Sequence, residues 1–322
     1  MFNQSDLEKA ATLVHRHMPP TPAYTWPLLG ETLGCTVVVK HENHTPTGAF
    51  KVRGAFTFID WLTRTHPDCP GIVTATRGNH GQGQALAATA AGLRALVYVP
   101  KGNSVEKNAA MRAFGAELVE FGDDFDTARQ EAMRVGEQQG LFAVPPFHPE
   151  LVRGVATYGY ELLTAHPDLD TIYVPIGCGS GICGTIIARD ALGLGTKIVG
   201  VVSENAQTAK LSADVGALIE TETAATFADG MAVRVPVQAA LDIYAKGAER
   251  IITVSDDEIA EAIRTYYHTT HNLAEGAGAA PLAGLMQERA AMRGKKVGVI
   301  LCGGNIDTAW MAQILQGKTP KP

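Results

Sequence analysis

The chain has no run of basic residues, no apolar stretch long enough to cross a bilayer and no paired-cysteine spacing. Each absence closes off a class of function. With 27 Lys and Arg against 33 Asp and Glu, the formal net charge is −6, whereas a nucleic-acid-binding surface needs a clustered basic face. The N-terminal MFNQSDLEKAATLVHRHMPP lacks a basic segment followed by an apolar one and does not read as a secretory signal. A membrane span would need about 20 apolar residues in a row, and none is present. Cys35, Cys69, Cys178, Cys183 and Cys302 are odd in number and include no CxxC. They argue against a disulfide framework and a structural zinc site, and a reducing cytoplasm is the expected location.

What is present is an α/β pattern. A chain of 322 residues outgrows a single core, which stops growing near roughly 250–300 residues, so two lobes are expected. TVVVKHE (36–42), GIVTAT (71–76), RALVYVP (94–100), TIYVPIG (171–177), KIVGVVSE (197–204) and KKVGVILCGG (295–304) read as strands. Runs this continuously apolar suit strands covered on both faces, as in parallel sheets. Between them lie helical stretches such as GQALAATAAG and VEKNAAMRAFG, each ending on a glycine stop. The pocket is then expected beyond the carboxyl ends of the strands, where the strand-to-helix loops gather. No low-complexity linker or repeat interrupts the pattern, and it runs out one helix after the last strand, which leaves no appended regulatory domain expected.

Four loops could carry chemistry. KHENHTPTGAFKVRGAF sets Lys51 between Phe50 and Val52, an apolar surround that would suit a nucleophilic amine. On its own, Lys51 reads first as a surface lysine opening a helix. ATRGNHGQGQALAA (75–88) follows a strand and opens a helix, whose first N–H groups favour a carboxylate or phosphate. Asn79 and His80 add polarity there, although an ordinary turn relieved by Gly78 and Gly81 is an equal reading. VPIGCGSGICGTIIA (174–188) is the strongest phosphate cradle. Its GSGICG also fits GxGxxG, with Glu204 closing the next strand, so a nicotinamide oxidoreductase is a rival. ILCGGN (300–305) places Cys302 and Asn305 at a strand end, where a buried thiol can be no more than a small hydrophobe. HENH (41–44) lacks HExxH spacing and carries little weight as a metal site.

Together these pieces resemble the fold type II pyridoxal-phosphate enzymes, in the threonine/serine dehydratase and serine racemase group. TGAFKVRGAF is similar to that family's lysine motif and RGNHGQG to its Ser-x-Gly-Asn-His loop. GCGSG is similar to its glycine-rich phosphate loop, TFADGMAV (226–233) to its ADG segment, EGAGA (275–279) to its Glu-Pro-x-Gly-Ala stretch, and CGGN to its Ser/Cys-Gly-Gly-Asn. The matches run in the family's order along most of the chain. The resemblance implies pyridoxal 5'-phosphate on Lys51, which then serves as the catalytic base, with Phe50 beside it. Asn79 would bond the cofactor's 3'-oxygen. Gly177, Cys178, Gly179, Ser180 and Gly181 would hold the phosphate, and Cys302 would face the pyridine nitrogen. Thr76, Arg77, Gly78, Asn79 and His80 would bind the substrate carboxylate. It further implies a two-lobed α/β architecture, each lobe a mostly parallel sheet flanked by helices. A large domain of residues 1–68 and 149–322 would carry an inserted small domain of residues 69–148. The activity implied is loss of water and then ammonia from a β-hydroxy amino acid of the threonine or serine type, leaving a 2-oxo acid. A small-molecule amino-acid substrate is expected, with no nucleic acid or membrane, and a homodimer is carried over from the family.

The sequence departs from the family pattern in places. The usual Ser before Phe-Lys is Ala49, the Gln-Gly-Thr stretch reads Gly154-Val155-Ala156-Thr157, and Arg77 stands where the racemases place a catalytic serine. A permanently charged guanidinium is a poor proton acceptor, so racemisation is expected to be weak. The same arginine could bond a second acidic group, making threo-3-hydroxyaspartate an alternative substrate; a phenylserine-type side chain is less directly motivated. A non-catalytic carrier of the cofactor is a further rival. Where the family holds a divalent cation, this chain aligns Val202 and Thr208 with the acidic ligands, and no metal is expected.

Overall fold

The computed structural model describes residues 2–321. Its strands, in chain order, are β1 (Ala23–Thr25), β2 (Thr36–His41), β3 (Gly71–Ala75), β4 (Arg94–Val99), β5 (Glu117–Glu120), β6 (Phe142–Ala143), β7 (Thr171–Pro175), β8 (Lys197–Ser203), β9 (Arg250–Val254) and β10 (Lys296–Leu301). They form two sheets, a larger one in the order β1-β2-β10-β7-β8-β9 and a smaller one in the order β5-β4-β3-β6. Every pairing is parallel except β1 with β2. All strands of the small sheet fall between β2 and β7 in sequence, so the chain leaves the large sheet once and returns to it.

The apolar runs explain the sheets. In β7, β8 and β10 the residues on both faces are buried, including the neighbours Ile172 and Tyr173, Ile198 and Val199, and Val299 and Ile300, because helices cover each side. In β4 the faces separate with the two-residue period of a strand. Leu96 and Tyr98 pack toward Ala128 and Ala132 of helix Phe125–Gln139, while Val97 and Val99 meet Met111 of helix Val105–Ala113. Each parallel strand hands its chain to a helix at its carboxyl end, so β3, β7 and β10 all end where loops gather. Among the described residues no helix is long and apolar enough to cross a membrane.

Candidate active site

Helix Lys51–Thr65 begins at the lysine motif, and its entry is pinned in two ways. Thr45 Oγ1 accepts from the Ala49 N–H at 2.9 Å, and the Phe50 N–H donates to the Cys302 carbonyl at 3.0 Å. Ala49 and Gly303 also form an isolated antiparallel bridge. The lysine motif is thereby fastened to the carboxyl end of β10, with Lys51 half-buried at the helix start. Phe50 packs edge-on against Tyr158, whose hydroxyl donates to the Gly181 carbonyl at 2.7 Å.

Helix Asn79–Ala90 opens just beyond β3. The buried hydroxyl of Thr76 accepts from the Gly78 and Gly81 N–H groups at 3.0 and 3.3 Å, which folds the loop into its turn. Asn79 is fixed from both sides. Its Nδ2 donates to Glu275 Oε1 at 2.7 Å, and its Oδ1 accepts from Asn305 Nδ2 at 2.8 Å. An amide has two N–H groups, so one donor of Asn79 is left for a ligand. His80 is half-buried, yet its Nε2 is sealed from solvent and has no hydrogen-bond partner. Burial, and then the positive charge of Lys51, push its pKa down to about 3, so the imidazole is neutral at physiological pH. Arg77 is exposed, and among the described residues it forms no ion pair.

The phosphate-type loop follows β7 and leads into helix Ser180–Ala191. Gly179 has φ +98°, a left-handed conformation that glycine adopts without cost, and a Cβ there would lie 2.7 Å from that of Ala240. A Cβ on Gly177 would collide with the Gly230 carbonyl, so the loop sits tightly against the turn Asp229–Met231. The Cys178 thiol is pushed up by burial, against the opposing pull of Lys51. Cys302 is held still further above its ordinary range, by burial and then by the charge of Glu275. Both thiols are therefore neutral and are not nucleophiles here.

Glu275 is a site residue that the motif reading passed over, although it lies in the EGAGA segment noticed for its resemblance. It is 2% exposed, and its Oε2 has no partner. Burial raises its pKa to about 7 despite the nearby charge of Lys107, with Asp229 pushing the same way as burial. Beside the buried apolar Phe50 and Val52, titratable groups also lie close enough to feel Lys51, namely His80, Cys178, Glu275 and Cys302.

The loops share one feature. Helices Lys51–Thr65, Asn79–Ala90, Ser180–Ala191 and Gly276–Gln287 all begin at this place, and none has a side-chain cap. Helices Gln4–Val14, Val105–Ala113, Phe125–Gln139 and Asp256–Thr270 are capped by Asn3, Ser104, Asp124 and Ser255, while Pro27–Leu33, Thr208–Val215 and Gln238–Gly247 are also uncapped, so it is the meeting of four such starts in one place that marks the site. Uncapped N-termini leave backbone N–H donors and a positive dipole end free for anions. The site thus offers a primary amine, a free amide donor, an orphan carboxyl oxygen and several anion-binding helix ends. That donor set fits pyridoxal phosphate, which brings an aldehyde, a phosphate and a phenolic oxygen.

Comparison with known proteins agrees. A family model described as "Pyridoxal-phosphate dependent enzyme" matches residues 14–303. An L-threonine ammonia-lyase of Thermotoga maritima is 32% identical over 316 residues, 98% of this chain and 78% of that protein. An L-threo-3-hydroxyaspartate ammonia-lyase of a Pseudomonas species is 32% identical over 313 residues, covering 97% of this chain and 98% of that one. The crystal structure of a threonine deaminase from T.th. superposes with a TM-score of 0.89 at 31% identity, over 95% of this chain and 99% of the other. The chain is a member of the pyridoxal-phosphate dependent enzyme family, of fold type II.

Proposed function

We propose that this protein eliminates water and then ammonia from a β-hydroxy amino acid of the threonine or serine type, releasing a 2-oxo acid. The convergence of four uncapped helix starts on Lys51 carries this reading, since it gives one amine two anions to work between: a cofactor phosphate and a substrate carboxylate. The relatives named above as ammonia-lyases support the reaction type. When bound, the cofactor supplies an electron sink for charge released at the substrate Cα.

The chain's own residues supply the rest. Lys51 would hold the cofactor through its amine, and the same amine would take the substrate Cα proton as general base. The turn set by Thr76, with Gly78 and the first N–H groups of helix Asn79–Ala90, grips the substrate carboxylate, and neutral His80 adds polarity without charge. Gly177 to Gly181 would seat the phosphate. Asn79, held by Glu275 and Asn305, would offer its remaining N–H to the phenolic oxygen. Cys302 stays a neutral thiol, which cannot stabilise a cation beside it, and this favours prompt loss of a β-leaving group.

In this reading residues 69–148 form a small domain inserted into a large domain of residues 1–68 and 149–322. The proposed setting is a homodimer in the reducing cytoplasm, where the five cysteines stay free. A visible spectrum of the purified protein, with borohydride bleaching, and a 2-oxo acid assay over threonine, serine and 3-hydroxyaspartate test the proposal. A colourless protein, or a coloured one that releases no 2-oxo acid from any of the three, would reject it.

A threo-3-hydroxyaspartate specificity is a second reading favoured by one observation. Arg77, in the carboxylate-gripping loop, has no acidic partner of its own among the described residues, which leaves its guanidinium available to a second substrate carboxylate.

A further inference from the structure

Lys107 is almost fully buried although it lies outside every motif that suggested function. It sits in the first turn of helix Val105–Ala113, which packs on the small sheet. Its Nζ pairs with the Asp229 carboxylate on the large-sheet side, with the lysine side chain 7% exposed. Its stem crosses the substrate loop, where a Cβ on Gly78 would lie 2.7 Å from Lys107 Cδ. Asp229 opens the turn whose Gly230 carbonyl abuts Gly177 of the phosphate loop, and the preceding Ala228 is packed against Gly276, directly after Glu275. One side chain therefore touches the substrate loop and, through a single turn, both the phosphate loop and the Glu275 helix.

The residues just before it reach across in the same direction. Ser104 donates to Asp307, and Glu106 accepts from the Thr308 N–H at 3.1 Å, at the start of helix Thr308–Leu315. Ser104, Glu106 and Lys107 thus fasten the small-sheet side to the large-sheet side beside the pocket. Burying a lysine is costly unless it is paired, so the pair cannot be a casual surface contact.

We infer that Lys107 is a positioning residue, which clasps the two sheets together over the pocket by pairing with Asp229 and so holds both the cofactor and the substrate loop in place. The inference rests on the proposed site, but its main readout needs no turnover. The experiment uses holoenzyme carrying Lys107→Met, which keeps an unbranched stem beside Gly78 and removes the charge, and measures release of pyridoxal phosphate into a scavenger through loss of the visible band. Release accelerates by about tenfold or more, as expected for loss of a largely buried ion pair, and amide exchange across residues 104–113 quickens. Asp229→Asn gives the same release rate, and Lys107→Arg returns it to within about threefold of the parent. Lys101→Met, which breaks only an exposed contact with Asp123, leaves it unchanged. With an amino-acid substrate, KM rises about tenfold while kcat changes by less than about threefold, as for lost positioning of a bound group. Parental release and exchange rates in both Lys107→Met and Asp229→Asn would overturn the clasp. So would a Lys107→Arg protein that releases as fast as Lys107→Met, because stem packing would then be the whole effect. If the protein proved to have no dehydratase activity, release and exchange would still decide the question.

Discussion

The guanidinium of Arg53 closes a two-pronged pair on the carboxylate of Glu42, Nε to Oε2 at 2.7 Å and Nη2 to Oε1 at 3.0 Å, with both side chains at 0% exposure. Arg53 also reaches Glu161 at 2.6 Å and the Thr157 hydroxyl at 3.0 Å, and Lys40 joins from the other side, 2.5 Å from Glu161. Two cations and two carboxylates balance in a largely buried cluster, with His15 closing its outer side on Glu161. Arg53 lies two residues beyond Lys51, so the cluster anchors the first turn of the helix that presents the lysine.

Removing Arg53 leaves two carboxylates with Lys40 as their only permanent cation, beside His15 at 2.8 Å from Glu161 and the Thr21 hydroxyl on Glu42. Breaking a buried pair from one side costs about 3–5 kcal/mol, because the remaining charge is uncompensated. Arg53→Met is therefore expected to lower the stability measured by denaturant unfolding at neutral pH by that amount. A loss below about 1 kcal/mol would mean that the cluster relaxes with little strain.

Lys51→Ala is expected to remove the visible band and all turnover while leaving the melting temperature of the cofactor-free protein near its parental value. The side chain makes no hydrogen bond among the described residues that folding depends on. Turnover near the parental rate in Lys51→Ala would show that another group does the chemistry.

Glu275 ties stability to pH with a definite sign. Its folded pKa is raised from 4.5 to about 7, so the folded state binds the proton more tightly than the unfolded chain. The contribution is present below about pH 4.5 and is lost as pH rises toward 7. Glu275→Gln keeps an oxygen for Asn79 and removes the ionisation. Thermal melts of the cofactor-free protein should show the variant gaining on the parent between about pH 5 and pH 8. Parallel melting curves across that range would place the ionisation elsewhere.

Activity is expected to be independent of Mg²⁺ and Ca²⁺. A hard cation needs several oxygen ligands, carboxylates above all. Val202 offers none, and the buried Thr208 donates its hydroxyl to the Val233 carbonyl at 3.1 Å. Strong inhibition by EDTA, reversed by either ion, would contradict the alignment of these two positions.

The fold was legible wherever burial on both faces forced unbroken apolar runs, as in β2, β3, β4, β7, β8 and β10. It was not legible where that pressure is absent. β5 (ELVE) carries glutamates at both ends, β6 is two residues long and β9 is mostly half-buried, so none shows a continuous run. β1 is a three-residue antiparallel edge with two exposed residues. The site followed the same logic. Lys51, Asn79 and the glycine loop stand in motifs with local spacing, and Asp229 and Glu275 stand in the ADG and EGAGA segments, but their pairing with each other's neighbours and with Lys107, which lies in no motif, exists only in space. Lys107 and Asp229 are 122 positions apart in the chain, and Asn79 and Glu275 are 196 apart. Their chemistry comes from burial and mutual charge, which spacing along the chain does not encode.

Arg77 decides between the two substrate readings. It stands in the loop of Thr76, Gly78 and Asn79 proposed to grip the substrate carboxylate, and it has no acidic partner among the described residues. Its exposure also limits the effect: a guanidinium bonding a carboxylate in partly solvated surroundings is worth about 1–2 kcal/mol, less than the same bond fully buried. If Arg77 reads a β-carboxylate, Arg77→Ser should lower kcat/KM for threo-3-hydroxyaspartate by about tenfold, mostly through KM, because the bond is made equally in the bound and reacting states. Threonine, which has a methyl group at that position, should lose less than about threefold. Equal losses on both substrates would assign Arg77 to the α-carboxylate. No loss on either would place its side chain outside the site.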